Sequence, residues 1–222
     1  MTPAGRLRRM TEDLTEELTE DKRDYETEPA RSAYHDALPI GERLPAQSLL
    51  ESPFFGFEGD VRMKPLEPML VPERPRAGVE DPAACFHCTW RDTSFWADEH
   101  WHVGAGDETG LPFAAGLAPN QHLRLDELGP DLLASFGGMV QRLAAAIQGL
   151  DGVARTHFSR WGDGSAHFHM HFMARPLGMM QGRGAMLAFW DDVLPRVDTD
   201  LFVENRRRVA AALVEGGGTS LL

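Results

Sequence analysis

Residues Ser165-Ala-His-Phe-His-Met-His-Phe-Met-Ala-Arg-Pro176 place His167, His169 and His171 at alternate positions, with Phe168, Met170 and Phe172 between and after them. Side chains alternate across extended chain, so a period of two predicts a strand over about 166–174 with an imidazole face and an apolar face. The apolar face demands a covering layer, and the imidazole face demands a use. A half-buried strand gains nothing from imidazole that Val, Thr or Tyr would not supply better, and the other six histidines are scattered. The pattern therefore reads as a catalytic or metal-binding strand rather than an incidental exposed one.

Around this strand the hydrophobic period sets the expected elements. A preceding strand over about 153–160 is joined to it through Gly162-Asp-Gly164, a hairpin signal. Leu132, Phe136, Met139, Leu143 and Ile147 recur at helical spacing, with Pro130 suited to a first turn and Gly149 to a stop. Short strands are expected at His100–Val103 and Phe113–Ala118, and an edge strand at Asp60–Lys64. Two helices, about 184–194 and 200–214, are divided by Pro195, and the chain then runs through Gly216-Gly-Gly218.

Four regions follow. Residues 1–46 are highly charged with few aromatics; nine acids against two bases fall within 11–28, too little apolar surface to offset chain entropy, so a mobile tail is expected. Residues 47–84, with Pro65, Pro68, Pro72, Pro75 and Pro82, read as extended chain wrapping the core. Residues 85–177 form the core domain, and 178–222 a helical extension.

The chain of 222 residues carries a formal net charge of −12, which argues against a surface gripping long nucleic acid. A small anionic ligand needs only local donors, and Arg155, Arg160, Arg175 and Arg183 lie near the histidine strand. No apolar run approaches the ~20 residues of a membrane span, and no apolar segment follows the basic start, so a soluble, cytoplasmic protein without membrane contact is the expectation.

Cys85 and Cys88 are the only cysteines, spaced Cys-Phe-His-Cys, which excludes a disulfide framework. A redox dithiol wants its active cysteine at a helix N-terminus, whereas strand-like, Trp-rich sequence follows here. Two thiolates at this spacing supply half of a tetrahedral zinc site. The imidazoles that could complete it are His87, His100, His102, His122, His157 and the triplet.

The run His167-Phe-His-Met-His-Phe-Met173 resembles the histidine triad signature, three histidines alternating with apolar residues. The cysteine pair, Pro119-Asn-Gln-His122 ahead of a long helix, and the glycine-rich stretch before the triad extend the resemblance over about 83–177. It implies an α+β fold with an antiparallel sheet of about five strands flanked by helices. It implies a small-molecule nucleotide as partner and reaction at the α-phosphate, by hydrolysis or nucleotidyl transfer. In zinc-bearing branches, among them the galactose-1-phosphate uridylyltransferases, the resemblance implies a structural Zn2+ on Cys85, Cys88, His122 and His167. It makes His169 the nucleophile that forms a covalent nucleotidyl-histidine, and His171 the group that contacts phosphate or leaving group and moves a proton. Ser165 and the amides of Gly162–Gly164 are suited to hold phosphate oxygens. Trp161 is the tryptophan placed for base stacking, and Arg183 is a phosphate-contact candidate. Homodimers are common in the family, and the helix faces here neither require nor exclude one.

The chain also departs from that family. A further histidine usual on the strand before the proline-led element is replaced among Phe113, Ala114 and Ala115, and a polar residue of the preceding strand is replaced by Thr156 or His157. The third triad histidine is kept where uridylyltransferases carry glutamine, which favours water as acceptor. Two alternatives stay open at this point: a zinc-stabilised module that binds a nucleotide without turnover, and a metalloenzyme whose metal is held by the triplet itself.

Overall fold

A computed structural model describes residues 36–51, 56–68, 75–90, 93–106 and 109–222. Most of the expected mobile tail, and residues 52–55 and 69–74 of the expected wrapping segment, lie outside the described residues. The chain forms two compact units, one of Met1–Leu44 with Met63–Pro75 and one of Pro45–Arg62 with Arg76–Leu222. In the smaller, Ile40 and Leu66 form a parallel bridge and Arg43 Nη1 donates to the Met63 carbonyl at 3.0 Å. The expected strand at 60–64 does not form.

The larger unit contains α1 (Gln47–Glu51), α2 (Phe86–Trp90), β1 (Trp96–Ala97), β2 (Trp101–Gly104), β3 (Ala114–Pro119), α3 (Pro130–Gln148), β4 (Val153–Ser159), β5 (Met170–Pro176), α4 (Met186–Val193), α5 (Thr199–Glu215) and β6 (Thr219–Ser220). The strands make one six-stranded sheet in the order β4-β5-β3-β2-β1-β6, antiparallel at every pairing. The architecture is α+β, with one strand more than the sequence predicts. No helix among the described residues is long and apolar enough to cross a membrane.

α3 forms where its period placed it. Pro130 occupies the first turn, Asp131 places negative charge at the positive end of the helix dipole, and Gly149 ends it with its N–H on the Ala145 carbonyl. Met139, Leu143 and Ile147, one turn apart, are buried on the sheet with Trp101, Phe168 and Phe172. α5 is capped by Asp198, whose carboxylate accepts from the Asp200 and Leu201 amides at 3.0 and 3.2 Å. It adds Phe202, Val209, Ala210 and Leu213 to the same core, so residues 178–222 pack within the unit that holds 85–177.

Two strand expectations are corrected. β5 starts at Met170, so His167 and His169 stand before it, and the connection from Ser159 is a long loop rather than a tight hairpin. The chain over 165–168 bends at Ala166 and His167 and bonds elsewhere: Ala166 N–H to Ala77 O at 3.0 Å and Phe168 N–H to Leu123 O at 2.7 Å. The alternation of faces survives in the contacts: the Phe168 ring meets Trp101 and Phe136, while His167 turns to the thiols and His169 to His87. The second correction is β6. The three glycines turn the chain back so that Thr219 and Ser220 pair with β1 and Leu221 N–H reaches Phe95 O at 2.9 Å.

Candidate metal centre and active site

A 3-10 turn, Pro82–Ala84, capped by Asp81, delivers Cys85 into the core at the start of α2. Cys85 therefore does sit at a helix start, contrary to the strand-like reading, although α2 is only five residues long. Its surroundings are those of a ligand. The Sγ and imidazole nitrogen atoms of Cys85, Cys88, His122 and His167 all lie within 4.8 Å of one another. Cys85 Sγ is 3.5 Å and Cys88 Sγ 3.6 Å from His167 Nδ1, and Cys88 Sγ is 3.3 Å from His122 Nδ1. A tetrahedral zinc with its usual Zn–S and Zn–N lengths sets S···N separations of about 3.6 Å. The residues fit the group.

The surrounding contacts fit it as well. His167 Nε2 lies 3.0 Å from the Pro119 carbonyl. A carbonyl only accepts, so Nε2 carries the proton and Nδ1 is left with its lone pair toward the thiols. Burial, the largest influence, together with neighbouring imidazoles pushes the His167 pKa down to about 4 against the opposing Pro119 hydrogen bond, so the ring is neutral at pH 7, as a ligand must be. His102, buried and 3.3 Å from Asn120 Oδ1, and His100 stand outside this group.

His169, two residues on, is buried, and its Nδ1 lies 2.8 Å from the His167 carbonyl. The same logic places the proton on Nδ1 and the lone pair on Nε2. Burial lowers its pKa, with Arg160 adding to the shift and the His167 carbonyl opposing it. The His171 ring meets it edge to face at 4.9 Å, and Trp161 tilts over His171 at 4.9 Å. Burial, then His169, lowers the His171 pKa to about 4. The three triplet imidazoles thus share a face but divide their duties: one turns to the thiols, one to a backbone carbonyl, one to Trp161. Among the described residues the group of gathered ligand atoms contains one of the three, His167, together with Cys85, Cys88 and His122.

A cavity of about 440 Å³ opens between Phe86 and Trp161 and is floored by Gly164, Ser165, His169 and His171. A second, of about 330 Å³, shares Trp161 and His171 and is lined by Ala114, Ala115 and Gly116 of β3, with Asp192. The small side chains of Ala114 and Ala115 therefore line open space. Ser165 is buried; its hydroxyl accepts from the His167 amide at 3.3 Å and reaches Ala77 O at 3.5 Å. Thr156 is turned away, donating to Ala144 O of α3 at 2.8 Å. Arg183 is exposed and lines neither cavity, so the structure does not bring it to the histidines.

His87 is the residue the sequence reading undervalued. It is 5% exposed, and its ring stacks on that of His169 with centroids 4.0 Å apart and planes 28° from parallel. Burial, then His169, His167 and His171, pushes its pKa down to about 3. A signal was available: two ligands three residues apart on a helical turn face one way, so the residue between them faces another.

No family model matches the chain, and no curated protein matches it in sequence. Solved structures are similar to it. A Zn-bound histidine triad family protein from Mycobacterium smegmatis is 20% identical, with 60% of this chain and 95% of that one covered, at a TM-score of 0.44. A hypothetical histidine triad nucleotide-binding protein from Sulfolobus tokodaii is 14% identical, over 59% and 93% of the two chains, at 0.42. A uridylyltransferase mutant is 16% identical, over 63% of this chain and half (50%) of its own, at 0.43.

Proposed function

We propose that the protein is a nucleotide hydrolase acting at an α-phosphate through a covalent nucleotidyl-histidine on His169. The observation that carries this reading is the His169 ring itself, with Nδ1 on the His167 carbonyl and the ring lining the cavity beside His171. A neutral imidazole attacks with one nitrogen only while the other keeps and donates its proton, and this tautomer is the one required.

In the first step His169 Nε2 attacks phosphorus and the bond to the leaving group breaks. The α-phosphate monoanion drawn between His169 and His171 raises the pKa of both rings, so His171 takes up a proton on binding and passes it to the departing oxygen or nitrogen. In the second, water attacks the nucleotidyl-histidine, His171 removes its proton, and the mononucleotide leaves. Gly164 and Ser165 border the phosphate, and Trp161 and Phe86 offer aromatic faces to a base. Two thiolates and two imidazoles suit zinc, and four protein ligands leave no open position, so the ion's chemistry is to cross-link the fold.

Turnover of a nucleotide panel (an adenosine phosphoramidate, a dinucleoside polyphosphate, ADP-ribose, UDP-sugars) tests the reading through released mononucleotide. Release by the wild type and its loss in His169→Ala is expected. No release from any member, by a folded and metal-loaded protein, overturns hydrolysis in favour of a binding module.

A further inference from the structure

The reaction above makes no use of His87, yet His87 makes the closest ring contact to the reacting histidine: 4.0 Å between centroids, nearly parallel. A second contact, edge to face with His167 at 5.7 Å, and a third with Phe86 at 5.5 Å, hold the His87 ring, which also borders the cavity lined by His169 and His171. The hydrogen bond from His169 Nδ1 to the His167 carbonyl fixes one atom of the His169 ring in its plane. It leaves the ring free to tilt about the line through that atom, and such a tilt swings Nε2 off the path to phosphorus. A ring laid against the face blocks the tilt.

Resting on the assignment of His169 as nucleophile, we infer that His87 is a positioning residue that holds the His169 ring in the plane of attack by stacking on it. The metal centre thereby orients the nucleophile from two directions. One is the main chain of His167, whose side chain faces the thiols. The other is α2, where His87 stands between Cys85 and Cys88. Neither contact involves a metal-bound atom of His169.

Reaction rates are steep in alignment, and a misplacement of about 1 Å costs about 10²-fold. The role assigned to His87 needs an aromatic face, not a ring nitrogen. His87→Phe keeps the face, and His87→Leu fills the space without one. In the metal-loaded full chain, His87→Leu is expected to lower kcat by about 10- to 100-fold with KM changed less than about 3-fold, and His87→Phe to stay within about 5-fold of wild type. Equal metal content in all three proteins separates this from damage to the cysteine site. Unchanged kcat in His87→Leu overturns the inference, and so does a His87→Phe protein as slow as His87→Leu, because the nitrogen would then matter and not the stack.

A readout free of turnover keeps this apart from the hydrolase reading. Cross-relaxation between the His87 and His169 ring protons of the wild type is expected for rings at this separation. If it is present while no nucleotide is turned over, the hydrolase reading fails and the contact stands. If it is absent, the positioning role fails whatever the protein hydrolyses.

Discussion

Gly78 has φ +86°, and a Cβ built on it would lie 2.6 Å from His122 Cε1 and 3.1 Å from Cys85 Cβ. Both the backbone angle and the space require glycine, beside two metal ligands from other parts of the chain. Gly78→Ala is expected to lose about 1–2 kcal/mol from the left-handed backbone alone, and more from displaced ligands. A lower melting temperature and faster loss of metal to a chelator would register it; unchanged metal retention would contradict the packing. His171 gives a second residue-scale prediction. Its pKa is about 4 in the fold against 6.5 for the free side chain, so between those values the unfolded chain binds the proton and the folded one does not. Stability is expected to fall as pH drops from 6.5 toward 4, and His171→Gln to flatten that fall, read as urea midpoints across the range. At this scale the cysteine pair was legible as half of a metal-binding cluster, because few residue types bind zinc, whereas the choice of His122 and His167 among the imidazoles came from the histidine triad resemblance and agrees with the cluster that forms. His87 was not legible, since nothing in Cys-Phe-His-Cys states which ring it will meet.

Among the elements, α3 was legible from end to end: a 3.6-residue period, a first-turn proline and a terminal glycine agree on the same span. The histidine segment was legible in its faces and not in its pairing, since a ladder depends on which carbonyls are near, and the chain bends at Ala166 and His167 before β5 begins. Here Ala77 and Leu123 take the bonds that a hairpin partner would have taken. β6 left no signal, being two residues after three glycines. Gly218, at φ +83°, lies against the Trp96 indole, and Arg142 covers the same ring at 5.3 Å while bonding Leu213 O and Gly217 O. Deleting Thr219–Leu222 is expected to speed amide exchange along β1 and lower the melting temperature. Turnover should remain within about 2-fold, because β3, β2 and β1 separate β6 from β5, roughly 19 Å at four strand spacings. Activity lost in proportion to the deletion would show the sheet transmitting strain to the histidines.

For the molecule as a whole, the Cys85–Cys88–His122–His167 cluster is where distant chain is brought together. It joins α2, the segment after β3 and the segment before β5, across sequence separations of 34, 79 and 82 residues. A clip closing loops of that length restricts the unfolded chain far more than the folded one, and the ion's binding free energy becomes folding free energy. Metal removal, or Cys85→Ser, is expected to lower the melting temperature by about 10 °C or more and to abolish turnover together with the His169 ring order. Retained turnover in a metal-free protein would show that the centre is not what orders the site. The periods marked individual strands and helices and the histidine triad resemblance supplied the sheet-and-helix class, whereas the joining of α5 into the main core depended on long-range contacts through Phe202, Val209 and Leu213.

The proposed hydrolysis turns on a covalent bond to one nitrogen of one histidine, Nε2 of His169. The direct measurement is intact-mass and peptide mass spectrometry of the wild type, quenched in alkaline denaturant within its first turnover of an adenosine phosphoramidate. A nucleotidyl adduct on the peptide bearing His169, absent in His169→Ala, is the result predicted. Mononucleotide release with no adduct at any quench time, or an adduct on another residue, would contradict it.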